Sequence, residues 1–241
     1  MYKECNRGGE MIVSIHQPAY IPWLGYFDKI AKSEVHIFLD DVEYSKNNLF
    51  NRNKIKTPQG WMWLTIPVHY KSNMLICETK IVNTFNWRKK HWYSIKTNYS
   101  KAEYFKEYSD EIEDFYLREW ENLADFTISM NKKISEILGI KVKFLKSSEL
   151  KVSGKKNEKL INLCKAVGAD TYLSGQGAKI YMDEKLFLEN DIKIIYQTFI
   201  HPRYRQLWGE FIPNLSILDF LFNCDVGEFE KILKRNENGS I

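Results

Sequence analysis

The chain has 241 residues, of which 44% are hydrophobic and 27% charged, as in an ordinary globular protein. A chain of this length forms one large domain, or one domain with an insertion, and buries enough surface to fold without cross-links. Its net charge of +4 comes from scattered Lys and Arg, which argues against nucleic-acid binding and leaves an anionic small molecule as a suitable ligand.

The four cysteines, Cys5, Cys77, Cys164 and Cys224, are far apart in the sequence. This spacing matches neither a zinc site nor a redox pair, so no metal site is predicted. No signal peptide is recognised, and no apolar run reaches the length of about 18 residues that a membrane helix needs. We therefore expect reduced thiols, a cytoplasmic location and no membrane span.

The first half of the chain predicts an α/β fold. Residues 1–10 have no pattern and are predicted to form a disordered extension. Residues 12–15 predict a strand, residues 24–32 an amphipathic helix and residues 35–39 a second strand. These three elements have the length of a βαβ unit. The prediction is a Rossmann-like βαβ unit at the N-terminus of a mainly parallel sheet.

The remainder of the chain predicts a largely helical middle section followed by further strands and helices. Residues 43–59 predict a polar loop, residues 61–68 a strand and residues 76–82 another. The pattern is helical from 87 to about 139, which we interpret as an insertion. Later strands are predicted at 142–147, 171–174 and 192–199, and helices at 153–167 and 215–222. We expect one domain over residues 11–230 and a C-terminal tail over 231–241.

Polar residues follow the two predicted N-terminal strands. In parallel sheets, ligands bind at the carboxyl ends of the strands, where both His16-Gln17 and Asp40-Asp41 fall. His16, Gln17 and Asp40 are the predicted catalytic residues, with His16 as a base or phosphate contact. The alternative for His16 is a hydrogen bond that only shapes the turn. Neighbouring strand residues point to opposite faces, so only one aspartate is expected in the site, and the pair is weak evidence for a metal.

Aromatic residues of the loop after the first strand are predicted to stack on a base or sugar, or else to pack under the loop. They are Tyr20, Trp23 and Tyr26.

Three further groups supply polar contacts. The predicted loop donors Lys46, Asn51, Arg52 and Asn53 suit phosphate or carboxylate, with a solvated loop as the alternative. Gly175 and Gln176 begin a Gly-x-Gly turn whose backbone N–H groups can approach an anion, although its spacing is neither Walker nor Rossmann. His201, Tyr204 and Gln206 form a polar cluster after a strand, without metal-site spacing.

These segments together resemble a known family. The opening segment HQPAYIPWLGYFDKI, residues 16–30, is similar to the signature of the WbqC-like proteins. The resemblance covers residues 11–223, and only Gly177-Ala178 departs, where a second glycine pair is expected. It continues through DD at 40–41, NRNKIK at 51–56, WLTIPV at 63–68, Trp87, His91, Tyr99, YLSG at 172–175, Tyr181, HPRYRQ at 201–206 and FIPNLSILD at 211–219.

The resemblance implies a transferase of bacterial O-antigen or other surface-polysaccharide biosynthesis. Its substrate would be a dTDP- or UDP-linked amino sugar, and its reaction the N-acylation of the sugar amine, in particular with glycine or another aminoacyl group. The donor would be a coenzyme A or carrier-protein thioester, with an acyl carrier protein as partner, or the reaction would use ATP. The resemblance firmly implies no cofactor and supplies no catalytic residues.

Two alternatives stay open. One is an ATP-dependent ligase or nucleotidyltransferase of the HIGH-type Rossmann class, whose loop histidines bind ATP phosphates. Here the second histidine of that pattern is missing, because Tyr26 follows Gly25. The other alternative is a non-catalytic binding protein of a polysaccharide pathway.

Overall fold

The computed structural model describes residues 11–238, so the extension predicted over residues 1–10 lies outside the described part. The fold is α/β, as predicted. Within the described residues, a five-stranded parallel sheet forms the centre, and a two-stranded hairpin lies apart from it. None of the helices in this part of the chain is long and apolar enough to cross a membrane.

The N-terminal βαβ unit forms as the sequence predicts. Strand β1 (Ile12–His16) is followed by helix α1 (Leu24–Ala31) and strand β2 (Val35–Phe38). The two strands are parallel neighbours, with His16 opposite Phe38. Helix α1 is buried on nearly every side, from Leu24 through Ile30. The loop between β1 and α1 therefore lies at the carboxyl edge of the sheet.

The polar segment 43–59 is only partly a loop. Strands β3 (Arg52–Thr57) and β4 (Gly60–Thr65) form an antiparallel hairpin, with Gly60 in the left-handed region at φ 116°. The loop prediction is wrong for residues 52–57, because the strand buries amide and lysine side chains where a strand usually buries apolar ones.

The strand predicted over residues 76–82 is also absent as such. Ile76–Glu78 forms a short 3₁₀ turn, and Ile81 makes a single bridge to Val68. The Glu78 carboxylate accepts a hydrogen bond from the Leu75 backbone N–H at 3.1 Å. This bond holds the chain in a turn rather than in a strand.

The middle section is helical, as predicted. It consists of α2 (Trp87–Tyr99), α3 (Phe105–Leu117) and α4 (Leu123–Ile137). Gly139 follows α4 in the left-handed region, at φ 71°, which suits the residue after a helix. These helices pack with α1 and the hairpin in one aromatic-rich core.

The second half of the chain completes the sheet, whose strand order is β5-β2-β1-β6-β7. It ends with helices that pack on the larger core. The elements in chain order are β5 (Lys143–Lys146), α5 (Ser147–Leu150), α6 (Lys156–Ala166), β6 (Thr171–Ser174), α7 (Glu184–Leu188), β7 (Lys193–Tyr196), α8 (Ile217–Asn223) and α9 (Gly227–Asn238).

Helix α9 extends through residues 231–238, which the sequence analysis assigns to a tail. Phe229 and Ile232 are buried in the larger core, and Leu233 packs against it. This apolar spacing is that of a helix with one buried face.

Both faces of the sheet are covered. Because side chains alternate along each strand, every strand contributes residues to both faces. Val13, Ile15 and Ile37 pack with α6 and α7 in a smaller core. The residues between them, such as Ser14 and His36, point to the other face, toward α1. His16, at the end of β1, therefore shares the face of Ser14 and contacts Tyr26 of α1.

Candidate active site

Two adjoining cavities open at the carboxyl ends of β1 and β6. The larger has a volume of about 770 Å³ and extends toward α6, and the smaller, of about 290 Å³, extends toward α1. The strand order changes direction at β1: β2 and β5 lie on one side of it, and the later strands β6 and β7 lie on the other. Such a point is where α/β sheets bind ligands. The residues that line both cavities are His16, Lys29, Gly175 and Gly177.

His16 is held as a neutral imidazole. Its Nδ1 lies 3.0 Å from the carbonyl oxygen of Gln17, so Nδ1–H donates and Nε2 keeps its lone pair. Burial, reinforced by the charge of Lys29, lowers the pKa of His16 to about 3. The Tyr26 ring packs edge-on at 5.0 Å. The geometry offers a neutral hydrogen-bond acceptor, as a base requires.

Lys29 is the site residue that sequence reasoning missed. It is 3% exposed, yet it lines both cavities. No described residue forms a hydrogen bond or ion pair with its ammonium. Burial lowers the pKa of Lys29 to about 7, because an apolar environment disfavours the charged form. The site therefore contains a lysine that gains or loses its proton near neutral pH.

The Gly175-Gln176-Gly177 turn follows β6 and borders the two cavities. Gly175 and Gly177 line both cavities, and Gln176 lines the smaller one. A Cβ atom placed on either glycine would meet no atom within 4 Å. The space in front of this backbone is open to a ligand.

The three aromatic residues of the opening loop divide into two groups. Trp23 and Tyr26 line the smaller cavity. Tyr20 does not, because it is fully buried and its hydroxyl bonds His91 Nδ1 at 2.9 Å and the Tyr116 hydroxyl at 2.6 Å. Its predicted role in substrate binding is wrong, since the ring packs under the loop.

Gln17 lines the larger cavity beside His16, whereas Asp40 lines neither. Asp40 is 2% exposed, and its carboxylate accepts hydrogen bonds from the Ser148 backbone N–H at 2.9 Å and the Ser148 hydroxyl at 2.7 Å. Asp41 is paired with Lys159 at 2.6 Å. The predicted catalytic role of Asp40 is therefore corrected: both aspartates join β2 to the elements beside it.

None of the four predicted loop donors lines either cavity. Asn53 is buried and its amide donates to the carbonyl oxygen of Ile21 at 2.9 Å, which supports a left-handed backbone at φ 38° that a β-branched residue rarely adopts. Asn51 donates to the Ile66 carbonyl at 2.8 Å. Arg52 lies over the Trp63 ring and Lys46 over the Tyr70 ring. These contacts shape the loop and hairpin rather than the cavities.

The cluster after β7 is a buried network around Asp219, which the sequence analysis missed. The Asp219 carboxylate accepts from Gln206 at 2.7 Å, Tyr204 at 2.9 Å and Tyr99 at 3.0 Å. Burial raises the pKa of Asp219 to about 6. His201 bonds the Pro202 carbonyl at 2.8 Å. His201, Tyr204 and Gln206 line neither cavity, so their predicted place in this site is corrected.

Comparisons with known proteins identify relatives over nearly the whole chain. The model of the WbqC-like protein family matches residues 17–231. Over 215 residues the chain is 41% identical to Rv1507c, an uncharacterized protein of Mycobacterium tuberculosis, and the match covers 88% of this chain and 93% of the relative. No solved structure matches the chain.

Proposed function

Because the chain belongs to the WbqC-like protein family, we propose that it is a transferase of surface-polysaccharide biosynthesis. It N-acylates the amine of a dTDP- or UDP-linked amino sugar. The observation that carries the proposal is the pair of titratable groups, His16 and Lys29, at a cavity of about 770 Å³ on the carboxyl edge of the sheet. This volume is in the usual range for sites that enclose small molecules.

The reaction requires removal of one proton. The sugar amine attacks the carbonyl carbon of an acyl thioester, a C–N bond forms, the C–S bond breaks, and the nitrogen loses a proton. His16 Nε2 accepts that proton and returns it to the departing thiolate. The low pKa of His16 keeps the imidazole neutral, so the lone pair of Nε2 is available to accept the proton.

The neighbouring groups take the remaining roles. The Gln17 side chain, next to His16 at the larger cavity, donates a hydrogen bond to the developing oxyanion. Two joined cavities allow the nucleotide sugar and the acyl donor to enter from different sides. Trp23 and Tyr26 give the smaller cavity an aromatic wall, which suits a sugar ring or a base.

The test is product formation with purified protein. A dTDP- or UDP-linked amino sugar is incubated with acyl coenzyme A, with carrier-bound acyl thioester, or with glycine and ATP, and the mass gain of the sugar is measured. We expect His16→Gln to lower kcat by roughly a hundredfold or more, as loss of a general base does. His69→Gln is the matched control, because His69 is exposed and lines neither cavity.

The outcomes separate this proposal from its rivals. Absence of a mass gain with every donor, carrier-bound ones included, would reject acyl transfer. Release of AMP or diphosphate, together with thermal stabilisation by ATP–Mg²⁺, would favour the ligase or nucleotidyltransferase class. A reconstituted pathway that runs equally well with His16→Gln would favour a non-catalytic binding protein.

A further inference from the structure

We propose that Lys29 is the anion-binding residue of the site and that it holds the diphosphate of a nucleotide. The inference deepens the proposed function, on which it rests only for the identity of the sugar nucleotide. Its basis is a buried lysine that faces two cavities and has no counter-ion in the described part of the chain.

Burial of the Lys29 ammonium without a counter-ion is energetically unfavourable. An ammonium removed from water is normally paired with a carboxylate or left to reach solvent. Lys29 is 3% exposed, and the described residues that line the two cavities include no Asp or Glu. The charge of Lys29 is unfavourable for the nearby His16 and His36. No carboxylate among the described residues that line the cavities balances the charge of Lys29, and a bound anion can do so.

A second lysine faces the larger cavity from the other side of the sheet. Lys156 begins α6, lines this cavity and forms no ion pair with a described residue, and its backbone is left-handed at φ 51°. Lys29 belongs to α1, which packs in the core on the opposite face. Two lysines that converge from opposite faces fit a ligand with more than one negative charge.

A diphosphate suits this arrangement better than a single carboxylate. Lysine binds phosphate as a point charge, whereas planar carboxylates favour the arginine fork. The open backbone at Gly175 and Gly177 lies on the same cavities and leaves room for phosphate oxygens. The volume of about 770 Å³ also accommodates the nucleoside that carries the diphosphate.

Binding of the anion is coupled to a proton. In the empty site the pKa of Lys29 is lowered to about 7, so the lysine is mostly neutral at pH 8. An adjacent diphosphate favours the ammonium and raises this pKa. The other titratable groups that line these cavities are His16 on β1, Tyr26 on α1, Lys156 on α6, Tyr172 on β6 and Tyr181, and His36 on β2 lies close enough to feel the charge of Lys29. The pKa values of both histidines are lowered and those of Tyr26 and Tyr172 are raised, so we assign the proton uptake at pH 8 to Lys29, and the Lys29 variants test this assignment.

The experiment is titration calorimetry at pH 8 with UDP-glucose, dTDP-glucose, inorganic pyrophosphate and uridine. The diphosphate of a nucleotide sugar does not titrate near this pH, so measurements in two buffers of different ionisation enthalpy count the protons taken up by the protein. We expect a nucleotide sugar and pyrophosphate to bind, uridine not to bind, and nucleotide-sugar binding to take up close to one proton.

Three variants test whether anion binding and proton uptake depend on Lys29. Lys29→Met is expected to weaken binding at least tenfold and to abolish proton uptake. Lys29→Arg is expected to bind without proton uptake, because arginine is always charged. Lys89→Met, at an exposed lysine of α2, removes the same charge outside the cavities and should behave as wild type. Circular dichroism checks that each variant is folded, and Lys29→Gln replaces the methionine variant if that one is not.

The inference is overturned if none of the anions binds, if Lys29→Met binds them with wild-type affinity, or if wild-type binding takes up no proton. These results are separate from a failure of the proposed function. Absence of acyl transfer with retained, Lys29-dependent binding rejects only the proposed reaction. Full acyl transfer by Lys29→Met rejects only the anion site.

Discussion

At the scale of single residues, the Asp219 carboxylate is the centre of a buried hydrogen-bond network. It is fully buried and accepts hydrogen bonds from two tyrosine hydroxyls and the amide of Gln206. Gln206 in turn accepts from the ammonium of Lys56 at 2.8 Å. The network joins α2, β3, the segment after β7, and α8. We therefore assign the polar residues after β7 to stability.

Replacing Asp219 by Asn should destabilise the protein by about 2–4 kcal/mol. The amide keeps the volume but loses one acceptor, so a buried hydroxyl loses its partner. Urea unfolding at pH 8 measures the change. The matched control is Asp110→Asn, an exposed aspartate of α3, which should change stability by less than about 0.5 kcal/mol. Equal midpoints for the two variants would contradict the assigned role.

The residues of the site were predictable to different degrees. His16, Gln17 and Gly175 follow strands, and the carboxyl-end rule for parallel sheets identifies such positions without a structure. Lys29 lies within a helix, where a lysine is normally interpreted as part of the solvated face. Helix α1 is buried on nearly every side, and burial by elements distant in sequence cannot be deduced from local spacing. For the same reason Tyr20 and Asp40 were mistaken for site residues.

At the scale of elements, helix α4 begins with a capped end. The Asn122 side chain accepts hydrogen bonds from the backbone N–H groups of Ala124 at 2.8 Å and Asp125 at 3.2 Å, and its amide donates to the Cys77 carbonyl. It therefore satisfies N–H groups that a helix start leaves unpaired. The same residue attaches α4 to the turn at Ile76–Glu78.

We expect Asn122→Ala to lower the free energy of unfolding by about 1–2 kcal/mol, as loss of a helix cap usually does. Asn86→Ala is the control, because Asn86 occupies the corresponding position of α2 without a side-chain cap bond. Thermal and urea unfolding of both variants give the comparison. A loss at Asn86 as large as that at Asn122 would show that the cap bonds contribute nothing.

Helices and strands were predictable where the spacing of apolar residues in the sequence matches the pattern of buried residues in the structure. The βαβ unit, β6 and the helical middle section have apolar residues at the spacing their structure requires. β3 was not predictable, because Asn53 and Lys56 are buried through hydrogen bonds made by distant groups. The end of α9 was mistaken for a tail because its last residues are polar, although Ile232 packs in the core.

At the scale of the whole molecule, Lys29 makes stability depend on pH. The pKa of Lys29 is lowered to about 7 in the folded protein and is about 10.4 in an unfolded chain. Between these values the unfolded chain binds more protons, so stability rises with pH. The loss of folding free energy caused by burying the charged Lys29 is fully present below pH 7 and disappears as the pH rises toward 10.

Lys29→Met should therefore be more stable than wild type at pH 7, and the difference should shrink as the pH rises to 9. The slope of the difference is about 1 kcal/mol per pH unit. Urea unfolding of both proteins at pH 7, 8 and 9 measures it, and the comparison cancels groups that titrate in both. Parallel pH profiles would contradict the burial of this lysine.

The place of β1 in the strand order also has a consequence for synthesis. β1 pairs on one side with β2, which follows it closely, and on the other with β6, which begins at Thr171. On the ribosome, β1 and β2 can pair early, but the other edge of β1 has no partner until β6 has been translated. Unpaired strand edges are templates for association with other chains. The free edge of β1 is therefore exposed to aggregation until the ribosome has translated β6.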